Sequence, residues 1–240
     1  MLTFILSLVA ALADVVGGVL LVRSHADDRY LRYFVALGAG FMMAVAFMEM
    51  IPESLKISGS EMAPALVLAG YCVVHLIEHT ITPHFHYGKE THEGEFISQH
   101  TSNSVLTGLA IHALFDGVAI GSGFALSNWL GWTIFIAIFL HKAPEGFTIA
   151  SVMLASGRSR RSAIWASVLL AAATVLGAMI LSVVPKLVAV GLPLSAGVTV
   201  YVAATDLVPE VNREPGIRMA LVFFLGVVSF VALRFLFPNL

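Results

Sequence analysis

The chain has 240 residues, 58% of them hydrophobic and only 12% charged, with a formal net charge of −2 and a mean hydropathy of +0.91. A soluble domain carries about twice that charged fraction, so an ordinary water-soluble fold is excluded, and with no basic run or patch nucleic acid is excluded as a partner. The single cysteine, Cys72, rules out an intrachain disulfide and a cysteine-rich metal knot.

A helix needs roughly 20 apolar residues to cross the hydrocarbon of a bilayer. Apolar stretches bounded by charge, proline or glycine predict eight spans, at approximately residues 2–22, 32–51, 62–82, 104–126, 129–155, 161–184, 188–208 and 217–237. The expected fold is therefore all-α and polytopic, a single transmembrane domain over residues 1–240. In the first span Ala11-Leu12-Ala13 looks like a signal-peptide cleavage site. No basic stretch precedes it, and the segment reads as a retained helix.

The second span has a counterpart in the seventh. Leu37-Gly-Ala-Gly-Phe-Met-Met-Ala-Val-Ala-Phe-Met-Glu-Met-Ile-Pro-Glu53 aligns without a gap on Leu194-Ser-Ala-Gly-Val-Thr-Val-Tyr-Val-Ala-Ala-Thr-Asp-Leu-Val-Pro-Glu210, with seven of seventeen positions identical. The two copies run in opposite directions, which is the pattern of an inverted repeat, here of spans 1–3 and 6–8 around a central pair. Shared helix-end grammar, with small residues for packing and Pro-Glu as a terminator, is the other reading.

After span three comes a polar loop, residues 83–103. Six of the nine histidines, His75, His79, His84, His86, His92 and His100, lie in or beside it, mixed with Glu78, Glu90, Glu93 and Glu95. Around Pro83-His-Phe-His86 the loop can collect or sense metal, or it is a connector with incidental histidines.

Spans four and five carry the chemistry. His112-Ala-Leu-Phe-Asp116-Gly-Val-Ala-Ile120 and His141-Lys-Ala-Pro-Glu145-Gly-Phe-Thr-Ile149 share the pattern His-x-x-x-acid-Gly-x-x-Ile. Residues four apart lie on one helix face, so each segment presents an imidazole with a carboxylate. Counting the helical rise puts His112 and Asp116 about 10–18 Å from the inner end of their span, and His141 and Glu145 roughly 18–24 Å from the outer end of theirs. Both pairs fall near the middle of a core about 30 Å thick, where an isolated charge costs at least about 2.5–3.5 kcal/mol. Imidazole nitrogen with carboxylate oxygen suits Zn²⁺, Fe²⁺ or Mn²⁺. Pro144 removes its own backbone bond and frees the carbonyl of Leu140; this is either part of a transport site or a simple kink.

These segments resemble the fourth and fifth spans of the ZIP family of zinc and iron transporters, whose pattern reads His-Asn-x-x-acid-Gly and His/Gln-x-x-Pro-Glu-Gly. The Gly-Ala-Gly-Phe…Ile-Pro-Glu stretch of span two and Tyr201-Val-Ala-Ala-Thr-Asp206-Leu-Val-Pro-Glu210 of span seven are also similar to that family. The resemblance covers the whole chain. It implies influx of a divalent metal ion, zinc first with iron, manganese or cadmium as alternatives, by an elevator-like or rocking movement, often in a homodimer.

The departures from the family pattern are informative. Ala113 replaces the asparagine, and Lys142 a second carboxylate or asparagine, of members with a binuclear site; span six has no carboxylate. Lys142 either substitutes electrostatically for a second cation or pairs with Glu145. Glu49 stands where many members have a histidine, on an access path or as a plain helix-end carboxylate. Asp14 and Asp206 line an exit or make interhelical hydrogen bonds. Met43 is read as a core or lipid-facing residue.

The competing function is an intramembrane metal-dependent hydrolase, for which the same ligands with a polarised water are suited. No His-Glu-x-x-His or Gly-x-Ser-x-Gly motif is present, and no general base is left over once the ligands are assigned.

The loops after spans one, three, five and seven hold Arg23, Arg29, Arg32, Lys89, Arg158, Arg160, Arg161, Arg213 and Arg218, against Lys56, Lys186 and Arg234 on the other side. The positive-inside rule then places both termini outside, and the 83–103 loop in the cytoplasm, of a cell (inner) membrane. A cysteine put at Ser98 in a Cys72→Ser background should be protected from impermeant thiol reagent in intact cells; labelling from outside would reverse the topology.

Overall fold

The computed structural model describes residues 2–23, 28–80, 99–213 and 217–236. In chain order these form α1 (Leu2–Arg23), α2 (Asp28–Val45), a π-helical turn (Ala46–Met50), α3 (Ile51–Ser58), α4 (Met62–Thr80), α5 (Gln99–Leu126), α6 (Asn128–Ala155), α7 (Arg160–Val183), a 3-10 turn (Pro185–Leu187), α8 (Val188–Tyr201), a second π-helical turn (Val202–Leu207), α9 (Val208–Arg213) and α10 (Ile217–Leu236). Among the described residues there is no strand, as an all-α membrane fold requires.

Seven stretches are long and apolar enough to cross a bilayer: Leu2–Arg23, Val35–Ser58, Ser102–Leu126, Asn128–Ala155, Arg160–Val183, Pro185–Leu207 and Ile217–Leu236. At the predicted third span lies α4, whose apolar part is the shorter Met62–Ile77. His75, Glu78 and His79 make its last turns polar. Within the 83–103 loop, residues up to 98 lie outside the described residues, His84 and His86 among them. Residues 99–103 belong to α5, which starts before the predicted span.

The local signals at the helix ends are clear. Ser127 caps α6, its hydroxyl accepting from the Leu130 amide at 3.1 Å, and Ser159 caps α7 by accepting from Ser162 at 3.2 Å. Only Ser127 separates α5 from α6, so the two helices run antiparallel side by side.

Around this pair, α1 packs on α6 and α7, α5 on α7 and α8, α2 on α6 and α10, and α4 on α8. The central helix α6 is the most enclosed of the spans and α10 the least. Outward positions such as Leu68, Leu76, Trp165, Val183, Leu221 and Phe235 are exposed and apolar, the surface a lipid environment favours.

Four of these crossings are made by glycines. A Cβ on Gly17 or Gly146 would strike the backbone of Ala143 or Asp14 across the α1/α6 crossing. On Gly117 or Gly177 it would strike Thr174 or Leu114 across α5/α7. Gly40 with Gly226, and Gly70 with Gly197, do the same for α2/α10 and α4/α8. Lipid tails leave no hydrophobic drive between helices, so such backbone-to-backbone approach supplies the dispersion contact that holds them.

Gly146→Ala should therefore push α1 off α6. The opposing atom is a main-chain carbonyl that cannot rotate away, so the cost is at least the about 1–3 kcal/mol of ordinary overpacking. The measurement is thermal unfolding of the purified protein in detergent, where a melting temperature equal to the parent's would contradict the close crossing.

Candidate metal centre

The one-residue turn at Ser127 sets the register of the site. His112 lies fourteen residues before Leu126 and His141 thirteen after Asn128, rises of about 21 and 20 Å from the turn. The two imidazoles consequently stand at one level on facing helices, with ring centroids 5.6 Å apart.

Asp116 joins them. Its Oδ2 is 3.3 Å from His112 Nε2 and 3.3 Å from His141 Nε2, and all three side chains are buried. With Glu145, one ligand atom from each residue lies within 4.8 Å of every other. A tetrahedral ion bound at about 2.0–2.1 Å has ligand-to-ligand edges of about 3.3 Å, so the His–Asp spacings match two edges and the remainder close by small side-chain shifts.

Hydrogen bonding sharpens the chemistry. His141 Nδ1 lies 3.0 Å from the carbonyl oxygen of Ala137 and Nε2 3.3 Å from Asp116 Oδ2; the tautomer with its proton on Nδ1 turns the Nε2 lone pair to the centre. The buried His112 Nδ1 and Nε2 and Glu145 Oε1 have no hydrogen-bond partner. An unsatisfied buried group costs about 1–3 kcal/mol, and the lone pairs of His112 and of Glu145 Oε1 that no donor reaches are what a cation relieves.

The surroundings are tied to this centre. Ser195 Oγ on α8 donates to the carbonyl of Phe115 at 3.0 Å, holding α5 beside Asp116. Ser167 Oγ on α7 donates to the Gly146 carbonyl at 3.1 Å, next to Glu145. Pro144 leaves α6 continuous, so its effect is the freed Leu140 carbonyl rather than a break.

Lys142 is fully buried inside the same cluster. Its ammonium is 2.6 Å from Glu145 Oε2, 2.9 Å from Asp116 Oδ2 and 3.6 Å from Asp14 Oδ2. Both sequence readings of this lysine therefore have contacts behind them, and a third partner appears that sequence reasoning placed elsewhere. Asp14, read from sequence as an exit-lining or interhelical residue, lies at the centre because Gly146 lets α1 touch α6. A signal existed: Asp14 is the one charged residue of α1 before Arg23, and a lone acid and a lone lysine at mid-membrane are each costly without the other.

The remaining predicted residues lie apart from the group. Glu49 sits in the Ala46–Met50 turn and pairs with Arg234 Nε at 3.3 Å, while Arg234 also donates to the Met48 carbonyl at 3.3 Å. Asp206 is buried in the Val202–Leu207 turn and accepts from Thr205 Oγ1 at 3.1 Å. His75 and His79 lie together at the end of α4, their rings tilted at 38° with centroids 3.9 Å apart. Met43 packs against the main apolar core.

A sequence model described as ZIP zinc transporter matches residues 1–105 and 96–234. The chain is 24% identical to zinc transporter ZIP9 of Xenopus tropicalis over 258 residues, covering 87% of this chain and 84% of that protein. It is 23% identical to zinc transporter zipt-7.1 of Caenorhabditis briggsae over 247 residues, covering 78% of this chain and 63% of that one. To zinc transporter SLC39A7 of Rattus norvegicus it is 29% identical over 140 residues, 54% of this chain and 30% of the other. These relatives are transporters, not enzymes, which sets the hydrolase reading aside. With its apolar helices, its buried His/carboxylate group and a match over nearly its whole length, the chain is an integral multi-pass membrane protein and belongs to the ZIP zinc transporter family.

Proposed function

We propose that the protein carries Zn²⁺ across its membrane toward the cytoplasm, with His112, Asp116, His141 and Glu145 as the ligands that hold the ion midway. The observation that carries this reading is the convergence of those four buried side chains within 4.8 Å on two antiparallel spans, with ring nitrogens and a carboxylate oxygen left without hydrogen-bond partners. Mixed nitrogen and oxygen ligands favour zinc, with Fe²⁺, Mn²⁺ and Cd²⁺ as competing cargo, and the names of the relatives point to zinc.

The layout that accompanies this function is a single domain of eight spans, both termini outside, working as a homodimer. Two observations support the eighth span: α4 packs along α8, and its 19 residues rise about 28 Å. An inverted repeat is supported by the π-helical turns, which fall at Ala46–Met50 and Val202–Leu207, on matching positions of the two sequence copies and each just before a Pro-Glu pair. The matched crossings Gly17/Gly146 and Gly177/Gly117 point the same way.

The test is metal flux into sealed vesicles containing the purified protein. His112→Ala or His141→Ala should abolish zinc uptake, because no water stands in for a lost ligand at mid-membrane. His84→Ala with His86→Ala should alter only apparent affinity or regulation. Normal uptake by inserted His112→Ala protein would remove the site.

Lys142 fixes the stoichiometry in this reading at one ion per chain. At an effective dielectric near 20 two unit charges 4 Å apart repel by about 4 kcal/mol, and a dication beside an ammonium by roughly double. Metal analysis of protein lacking His84 and His86 should give one ion for the parent and up to two for Lys142→Asp. Two ions in the parent at neutral pH would contradict the part assigned to the lysine.

A further inference from the structure

The Lys142 ammonium stands on the same oxygens the cargo needs. It touches Glu145 Oε2 at 2.6 Å and Asp116 Oδ2 at 2.9 Å, two of the four proposed ligands. An ion arriving there must displace it, and a buried ammonium pushed off its carboxylates has no water to receive it. One place is open to it. Asp14 Oδ2 lies 3.6 Å from Nζ, Asp14 is completely buried, and neither of its oxygens accepts a hydrogen bond.

The position of Asp14 is set by the backbone. Its carbonyl lies where a side chain on Gly146 would be, so α1 cannot move away from α6 without losing that contact. The crossing of α7 on α5 is built alike, with Thr174 against Gly117 as Asp14 is against Gly146. There the buried residue is uncharged, its hydroxyl donating to the Leu170 carbonyl at 3.3 Å, and the residue after the histidine is Ala113 in place of Lys142. On one side of the centre acid and ammonium occur together; on the other neither occurs.

The charges then close. Asp116 and Glu145 offset a bound dication, and Asp14 offsets Lys142, leaving the loaded centre neutral in the hydrocarbon. Remove Asp14 and the loaded centre carries an unbalanced positive charge beside the ion.

We propose that Asp14 is the seat to which the Lys142 ammonium withdraws when the cargo ion takes Asp116 and Glu145, so that Asp14 sets metal affinity without ligating the metal. Lys142 is thereby a tethered cation that covers the carboxylates of the empty carrier and steps aside for the cargo. This rests on the ligand assignment given under the proposed function. Asp14 is a positioning residue, acting on the ion through Lys142.

The experiment is a charge-removal cycle on the purified full chain in detergent, with His84 and His86 replaced by alanine. The affinity for Zn²⁺ is read by competition with a chelator, and the metal-free melting temperature is recorded alongside. Asp14→Asn should bind zinc at least about tenfold more weakly than the parent, since it strands the ammonium next to the ion. Asp14→Asn combined with Lys142→Met, which removes both charges, should return to within about tenfold of the parent. A parent-like affinity for Asp14→Asn, or a double variant as weak as the single one, would overturn the proposal, the latter making Asp14 a ligand or a scaffold residue. If Asp14→Asn does not yield folded protein, the double variant decides alone, because it leaves no ammonium to be stranded beside the ion. Parent-like binding by His141→Ala would instead remove the metal centre and this proposal with it, an outcome separate from any result at Asp14.

Discussion

Charge in hydrocarbon is the constraint to which the rest of this molecule answers. Asp14, Asp116 and Glu145, with the single ammonium of Lys142 and two imidazoles, lie buried on three helices whose other buried residues are apolar or hydroxyl-bearing and carry no charge. Each alone would cost at least about 2.5–3.5 kcal/mol on insertion scales, so they are tolerated only where they meet. That requirement fixes which faces of α1, α5 and α6 turn inward.

Meeting demands a close approach of main chains, and glycine supplies it. Gly146 and Gly17 bring α1 against α6; Gly117 and Gly177 bring α7 against α5. In each case the residue that lets the backbones touch is adjacent to an acid of the centre, Asp116 before Gly117 and Glu145 before Gly146. Packing and chemistry are therefore encoded in the same dipeptides. The serines Ser167 and Ser195, donating to the carbonyls of Gly146 and Phe115, tie α7 and α8 to those same turns.

The periphery is built differently. The two π-helical turns carry Glu49 and Asp206, which meet Arg234 in one case and Thr205 in the other. A π-helical turn rotates the side chains that follow it off the regular helical face, so positions counted at 3.6 residues per turn do not keep their direction beyond it.

Much of this was determined by sequence alone. The spacing His112/Asp116 and His141/Glu145, repeated with glycine after each acid, singled out the four side chains that the structure brings together, because a four-residue step on a helix needs no tertiary information to place two side chains on one face. The apolar runs likewise located the helices, since a bilayer admits few other ways of satisfying the backbone. The exception was the end of α4, where length without apolarity left the count open. What only the tertiary structure decided is which charges are neighbours across helices. Asp14 is 128 residues from Lys142 in the chain and 3.6 Å from it in space, and Glu49 turns to Arg234 rather than to the centre. Such pairings depend on which glycine faces allow two backbones to touch and on how a π-helical turn shifts register, and neither is a property of one helix read by itself.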